Sequence, residues 1–191
     1  MPTATEPQLL TSHGWIFRLR GAQTKPGRLL ILIHGWMGDE NSMWVLARNL
    51  SPNYEIIAPR GHFPVAKGGY SWREIRSGTW GMSSLDDLRP AAEALLAFVE
   101  NYSISGGIDD GQFDLMGFSQ GAAMVYTLAL LCPERIRRMA VLSGLIPVDG
   151  ARRAATLLRM AGAKITYCES DAGHKVSKEC LTEMEVFLGE S

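Results

Sequence analysis

Phe113-Asp-Leu-Met-Gly-Phe-Ser-Gln-Gly121 joins an apolar strand to an apolar helix through a very short turn. Residues Phe113–Met116 are typical of a buried strand, and Gln120–Leu131 is an almost entirely apolar run of helical length. A turn this short must be sharp, so the residue at its apex is lifted clear of the sheet. Gly117 and Gly121 suit such a turn because they lack Cβ atoms that would collide with the neighbouring helix and strand.

Ser119 lies at the apex of this turn, at the centre of a G-x-S-x-G pattern. The pattern indicates a nucleophile whose hydroxyl is exposed above the sheet. The N-terminus of the following helix also favours negative charge that develops there. The alternative is a plain glycine-rich turn in which Ser119 caps the helix. The strand before the turn and the helix after it favour the nucleophile.

A base must accompany this serine, because a serine hydroxyl is scarcely ionised at neutral pH. The chain order associated with the pattern is serine, acid, histidine. Of the four histidines in the sequence, only His174 follows Ser119. It lies in a loop before a predicted helix, and its alternative interpretation is an exposed loop histidine without a role. We expect His174 to be the general base.

The segment His34-Gly-Trp-Met-Gly38 ends another strand. Acyl transfer needs two donors aimed at the oxyanion, one from the residue after the serine and one from a loop of this kind. The backbone N–H groups of Trp36 and Gln120 are therefore the predicted oxyanion hole, against the alternative of a simple strand-ending turn. We expect His34 itself to be structural, packing the loop through its ring nitrogens.

Strands and helices alternate along the chain. Such alternation predicts an α/β fold with a mostly parallel sheet and helices on both faces, in a single domain over residues 1–191. Active sites in such sheets lie at the carboxyl ends of the strands. The predicted strands are Arg28–His34, Tyr54–Ala58, Phe113–Gly117, Met139–Ser143 and Lys164–Cys168, and the predicted helices are Ser84–Tyr102, Gln120–Leu131, Ala151–Met160 and Val176–Leu188.

The composition excludes several classes of function. The 191 residues carry a net charge of −1, and 46 % of them are hydrophobic. Without a basic excess, neither nucleic acid nor an anionic membrane surface is expected as a partner. The first ten residues lack the pattern of a signal peptide, and no apolar stretch is long enough to cross a bilayer.

The cysteine content favours a reducing compartment. Cys132, Cys168 and Cys180 are an odd number without CxxC spacing, so neither a disulfide framework nor a zinc site is expected. We expect three free thiols and a cytoplasmic protein.

Taken together, these motifs resemble the phospholipase/carboxylesterase family of α/β-hydrolases, relatives of the acyl-protein thioesterases. The matching segments follow one another along nearly the whole chain: Ile33–Gly38, Ala58–Gly61, Gly68–Trp72, Gly117–Gly121, Leu142–Gly144 and Gly173-His174. The resemblance implies a Ser-Asp-His triad, no cofactor or metal, and hydrolysis of short-chain carboxylic esters or thioesters. It also places the Gly68–Trp72 loop beside the acyl site, so Met37, Tyr70 and Trp72 are expected to contact substrate.

The chain departs from the family pattern where the triad acid should lie. A strand and the acid-bearing His-Gly-x-x-Asp segment, on the order of 30 residues by comparison with the family pattern, are missing between Gly144 and Pro147. Asp149 keeps the order serine, acid, histidine, but it could instead cap the helix that follows. Asp171 lies only three residues before His174, which is close for a carboxylate that must orient that ring.

The favoured function is an esterase that forms an acyl-enzyme on Ser119. The rival is a catalytically impaired hydrolase fold that serves as a binding or scaffold protein, because the acid strand is missing. We expect Lys164–Cys168 to pair directly with Met139–Ser143, giving a sheet that lacks one strand before the last. The shortened sheet could also pair with a second copy and form a homodimer.

Overall fold

Strand β3 (Arg28–Ile33) lies inside a six-stranded sheet, as its uninterrupted apolar sequence predicts. The computed structural model describes residues 6–24, 27–74, 84–106, 111–144, 148–160 and 162–189, without the side chains of 103–106, 148–151 and 154. On either side of β3, β4 (Tyr54–Pro59) and β7 (Phe113–Phe118) run parallel to it. Next to β7 lies the parallel strand β8 (Ile136–Leu142), which ends the described sheet.

A hairpin that the sequence analysis did not predict forms the other edge of the sheet. Strands β1 (Gln8–Ser12) and β2 (Trp15–Arg20) are antiparallel to each other, and β2 is antiparallel to β4. His13 and Gly14 both have positive φ, 50° and 77°. Two consecutive positive φ values are typical of the tight turns whose twist matches a hairpin. The sheet is therefore mixed, with four parallel strands and two antiparallel ones.

The described residues include four α-helices. They are α1 (Leu85–Gly106), α2 (Gln120–Leu131), α3 (Val148–Met160) and α4 (Lys178–Gly189). Of these, α1 and α2 lie on one face of the sheet and α4 on the other. Leu29, Ile31 and Ile33 of β3 pack in one core with residues of α1 and α2. Leu30 and Leu32 pack in the other core with residues of α4. This alternation is the period-two geometry of a strand buried on both faces. None of the described helices is both long and apolar enough to cross a membrane.

Two very short strands shape the loop beside the sheet. Phe63–Pro64 (β5) pairs with Tyr70–Ser71 (β6) in antiparallel register. Tyr70 also forms a bridge with Gly38 in the loop after β3. The loop after β4 is thereby fixed against the loop after β3, at the carboxyl end of the parallel strands.

The predicted strand Lys164–Cys168 is wrong: residues 163–170 form no strand. The reason is that this segment is tied to helices and not to the sheet. Arg159 at the end of α3 donates to the Ile165 carbonyl, and Cys168 is bonded to Cys180 in α4. Both β8 and the segment line a cavity of about 930 Å³, so open space remains beside the sheet edge.

The expectation of three free thiols is also wrong. Cys168 and Cys180 form a disulfide, and only Cys132 remains a free, buried thiol. Their separation of 12 residues resembles no metal or redox motif, so the pairing follows from the tertiary fold alone. The cytoplasmic location loses this part of its support, because disulfides persist mainly in oxidising compartments. It stays a prediction.

Candidate active site

Ser119 has the strained backbone of a nucleophile turn. Its φ is 55° and its ψ is −113°, a conformation that residues with a Cβ rarely adopt. The Ser119 N–H donates to the carbonyl of Leu142 at the end of β8, which holds the turn against the sheet. The Ser119 side chain makes no capping hydrogen bond to α2. The structure therefore does not support the alternative in which Ser119 only caps the helix.

Gly117 and Gly121 are required by close backbone contacts at the turn. A Cβ on Gly121 would lie 2.0 Å from the Ile33 carbonyl oxygen, and one on Gly117 would lie 2.2 Å from the Gly121 carbonyl oxygen. These distances are far below van der Waals contact. The two glycines let α2 begin directly against β3 and β7, which brings Ser119 to the edge of the loop after β3.

His174 lies opposite Ser119. Its Nε2 lies 2.9 Å from Ser119 Oγ, the distance of a hydrogen bond. The His174 ring is exposed, and it packs against the ring of Phe118 with centroids 5.2 Å apart. Residues 55 positions apart in sequence thus form a hydroxyl–imidazole pair, the arrangement that could activate a serine nucleophile.

Among the described residues, Asp171 included, no carboxylate is hydrogen-bonded to the His174 ring. The Asp149 side chain lies outside the described residues. Helix α3 begins at Val148, so Asp149 is the second residue of the helix and does not occupy the predicted position before it. Only five residues, 143–147, separate β8 from α3.

The loop after β3 passes directly beside Ser119. A Cβ on Gly35 would lie 3.2 Å from the Ser119 Cβ. The Met37 N–H donates to the Tyr70 carbonyl at 2.9 Å, and the Tyr70 N–H donates to the Gly38 carbonyl at 2.8 Å. The Met37 amide is therefore occupied, and the neighbouring Trp36 stays the predicted donor from this loop. Gln120 is the first residue of α2, where backbone N–H groups have no partner within the helix.

His34 has the structural role that the sequence predicts. It is fully buried; its Nδ1 lies 2.7 Å from the Gly35 carbonyl, and its Nε2 accepts the Gly61 N–H at 2.9 Å. The Gly61 N–H can only donate, so Nε2 carries no proton and Nδ1 donates to Gly35. Burial lowers the pKa of His34, and hydrogen bonding to Gly35 opposes this less strongly.

Gln120 and Trp72 support the site from behind. The Gln120 side-chain oxygen accepts the Trp72 backbone N–H at 3.1 Å and lies 3.2 Å from Ser71 Oγ. Trp72 is only 1 % exposed, and its indole N–H donates to the His34 carbonyl at 2.8 Å. This burial favours a supporting role for Trp72 over the predicted contact with substrate.

Exposed apolar side chains lie in the loops after β3 and β4. Trp36 and Met37 are 37 % and 39 % exposed, and Phe63 on β5 is 39 % exposed. Tyr70 is half-buried beneath the Arg60 guanidinium, which lies 4.7 Å from the centre of the Tyr70 ring. The structure therefore brings the predicted Met37 and Tyr70 to the loops beside Ser119.

An ion pair that sequence analysis missed holds this loop. Arg60 donates to both oxygens of the buried Glu40 carboxylate at 2.6 and 2.8 Å. The Arg60 hydrogen bond is the main reason that the pKa of Glu40 is lowered. Arg60 lies in Ala58–Gly61, one of the segments that resemble the family. Its partner Glu40 lies 20 residues away, and no motif in the sequence indicates that the two residues pair.

Comparison with known proteins agrees with this geometry. The family model of phospholipases and carboxylesterases matches residues 17–182. A Mesorhizobium loti carboxylesterase structure superposes with a TM-score of 0.79 at 24 % identity, covering 97 % of this chain and 99 % of that one. A Bacillus cereus carboxylesterase gives 0.76 at 15 % identity, covering 93 % and 94 %. These similarities show the α/β-hydrolase fold.

A sequence relative is also found in Haemophilus influenzae, where it is named "Putative esterase/lipase". The two sequences are 26 % identical over 120 residues. The match covers 63 % of this chain but only 35 % of the relative. The shared stretch is therefore only about a third of the relative's own length.

Proposed function

The chain belongs to the phospholipase/carboxylesterase family, and we propose that it is a serine esterase that hydrolyses short-chain carboxylic esters or thioesters. The observation that carries the proposal is the hydrogen bond of 2.9 Å between Ser119 Oγ and His174 Nε2. It joins a hydroxyl on a strained turn to the base that can accept its proton. A binding or scaffold protein needs neither the strained backbone nor this pairing, so the enzyme is favoured over that rival.

The mechanism proceeds by two acyl transfers. Ser119 Oγ attacks the substrate carbonyl while His174 Nε2 accepts the hydroxyl proton. The backbone N–H groups of Trp36 and Gln120 stabilise the oxyanion of the tetrahedral intermediate. His174 then protonates the departing alcohol or thiol, and an acyl-enzyme remains. Water attacks the acyl group with His174 again as base, which releases the acid and restores Ser119.

The proposed substrate preference is supported by the loop after β3. Trp36 and Met37 present exposed apolar surface in the loop that passes beside Ser119. Such surface suits the acyl chain of an uncharged ester. The partner that we propose is therefore a small ester molecule.

The first experiment tests the nucleophile and the base. Ser119→Ala and His174→Ala should each lower kcat for a short-chain chromogenic ester by 10³-fold or more, on the order of the losses seen when triad members are removed. A fluorophosphonate should label Ser119 in the unaltered protein. Ser170→Ala, a change at an exposed serine of the same loop as His174, is the matched control and should keep full turnover. Wild-type turnover in Ser119→Ala, or labelling at another residue, would contradict the proposal.

The second experiment concerns the acid, for which Asp149 remains our candidate. If Asp149 orients His174, Asp149→Asn should lower kcat by up to ~10⁴-fold, as for other triad acids. Asp171→Asn is the comparison and should leave turnover nearly intact. Equal, small effects of both substitutions would show that Ser119 and His174 act without either carboxylate.

The predicted homodimer also remains a proposal. The outer edge of β8 pairs with no strand in the part of the chain that is described, and such an edge can accept another strand. Sedimentation velocity over a range of protein concentrations measures whether two copies associate.

A further inference from the structure

The loop that carries His174 is closed by the disulfide. Cys168 lies before the loop, Cys180 lies in the first turn of α4, and His174 lies between them. A covalent bond therefore joins the segment entering the loop to the helix that leaves it. Both cysteines are half-buried, so a small dithiol can reach them.

The middle of this loop lies at the surface. His174 is exposed, and its ring contacts the ring of Phe118 and the hydroxyl of Ser119. Two residues further on, the half-buried Val176 packs against the core that includes α4. Gly173 has a φ of 63°, and a Cβ there would meet nothing within 4 Å. The position of the imidazole thus depends on how firmly the two ends of the loop are held.

The two ends of the loop differ in their attachment. Helix α4 is anchored by Met184 and Leu188, which are buried in the core beneath the sheet. Ser177 precedes this helix and caps its N-terminus, since its side chain accepts the Cys180 N–H.

The entering end is joined to α3 by the hydrogen bonds from Arg159 to the Ile165 carbonyl. An exposed ion pair between Glu169 and Arg152 also joins them, but exposed ion pairs stabilise little. These contacts reach a helix and not the sheet, whereas the disulfide joins the entering end to α4, which is anchored in the core.

We propose that the Cys168–Cys180 disulfide positions His174 for catalysis and makes turnover sensitive to reduction. The inference rests on the proposed function, because it assumes that His174 is the base. Both cysteines act as positioning residues, since the loop that they close carries the ring to Ser119 Oγ. Trp36 and Met37, which we propose contact the acyl group, lie outside this loop.

The redox step is a thiol–disulfide exchange with a dithiol such as dithiothreitol. The dithiol supplies two electrons and two protons, the Cys168–Cys180 bond breaks to give two thiols, and the reagent leaves as its cyclic disulfide. Removal of the reagent and reoxidation by air restore the bond. The effect on turnover should therefore be reversible.

Dithiothreitol should lower kcat by about 10- to 100-fold, the scale of loss when catalytic groups are displaced by about 1 Å. KM should change little. The double variant Cys168→Ser/Cys180→Ser should show the same low kcat and no response to dithiothreitol. Cys132→Ser, which alters the free buried thiol, is the matched control and should keep both full turnover and sensitivity to the reagent. Unchanged kcat in the double serine variant would overturn the inference.

A second comparison separates positioning from a general structural role. In a His174→Ala background the disulfide has no imidazole to place, so its removal should leave the residual turnover unchanged. A further loss in that background would show that the disulfide supports the fold and not His174. If His174→Ala itself retains wild-type turnover, the proposed function has failed. If His174→Ala is inactive but the double serine variant is fully active, only this inference has failed.

Discussion

At the scale of single residues, His34 shows how a neutral imidazole organises the site without taking part in the chemistry. Its two ring nitrogens bind the Gly35 carbonyl and the Gly61 N–H, which belong to the loops after β3 and β4. A second proton on Nε2 would break the bond to Gly61 and place a charge in a fully buried position. His34 therefore keeps both loops in place only while it is neutral.

This predicts a stability that depends on pH. Because burial lowers the folded-state pKa of His34, the unfolded chain takes up a proton first as the pH falls below the ordinary value of 6.5. The contribution of His34 to the free energy of unfolding should be complete above pH 6.5 and should decline towards the folded-state pKa. Urea unfolding between pH 7.5 and 5 measures this decline.

The variant His34→Gln provides the control for this measurement. Glutamine does not titrate, so the free energy of unfolding of this variant should change less over the same pH range. The pKa of His62 is also lowered by burial, but His62 is present in both proteins and cancels in the comparison. Equal pH slopes in the two proteins would contradict the assignment to His34.

At the scale of elements, the site depends on how closely α2 begins against the sheet. The turn from β7 into α2 brings the Gly121 Cα to a distance from the Ile33 carbonyl that leaves no room for a side chain. The same approach gives Ser119 its positive φ and aims its hydroxyl at the loop of His174. Strain in the turn and catalytic geometry are consequences of one packing arrangement.

Gly121→Ala should therefore lower both stability and turnover. The added Cβ would lie 2.0 Å from the Ile33 oxygen, so α2 must move. Overpacking of this kind costs about 1–3 kcal/mol or more. Gly144→Ala is the matched control, because a Cβ there meets Val141 and Ala122 at ordinary distances of 3.5 and 3.6 Å. The Tm and the ester turnover should fall in Gly121→Ala only. Unchanged Tm and turnover in Gly121→Ala would contradict the close contact.

At the scale of the whole molecule, a buried polar cluster at the opposite end of the sheet joins the C-terminal helix to the core. The Tyr54 hydroxyl lies 2.6 Å from the Asp114 carboxylate and 2.8 Å from the Leu188 carbonyl. Arg28 donates to the same Asp114 oxygen at 2.6 Å. Burial raises the pKa of Tyr54, so its hydroxyl keeps its proton and remains a donor. Asp114 precedes Ser119 by roughly 16 Å of extended strand.

Tyr54→Phe should separate stability from activity. Removal of the hydroxyl takes one donor from the Asp114 carboxylate and the Leu188 carbonyl, which still accept from Arg28 and Arg138. The loss of such a hydrogen bond costs about 0.5–1.5 kcal/mol. The proposed catalytic pair, Ser119 and His174, lies at the other end of β7, so kcat and KM at 25 °C should stay close to those of the unaltered protein. Chemical unfolding and ester kinetics on the same preparation measure both quantities. A large fall in kcat without loss of stability would contradict this separation.

Local sequence was sufficient for most elements and for the strained turn that carries Ser119. The strands β3, β4, β7 and β8 and all four helices follow from apolar runs and helical spacing, because burial on one or two faces imposes those patterns directly. The G-x-S-x-G turn could be recognised for the same reason, since its glycines and serine answer steric demands within nine residues of chain. The order of residues also identified His174 as the histidine that meets Ser119.

Other features were decided by contacts between distant parts of the chain. Residues 164–168 have the composition of a strand, but bonds to α3 and α4 hold them off the sheet. Cys168 and Cys180 pair because α4 packs beneath the sheet and brings its first turn to the entering end of the loop. Glu40 meets Arg60, and Trp72 is buried behind the site, for a similar reason. Such contacts depend on the packing of whole elements, which no local pattern of residues encodes.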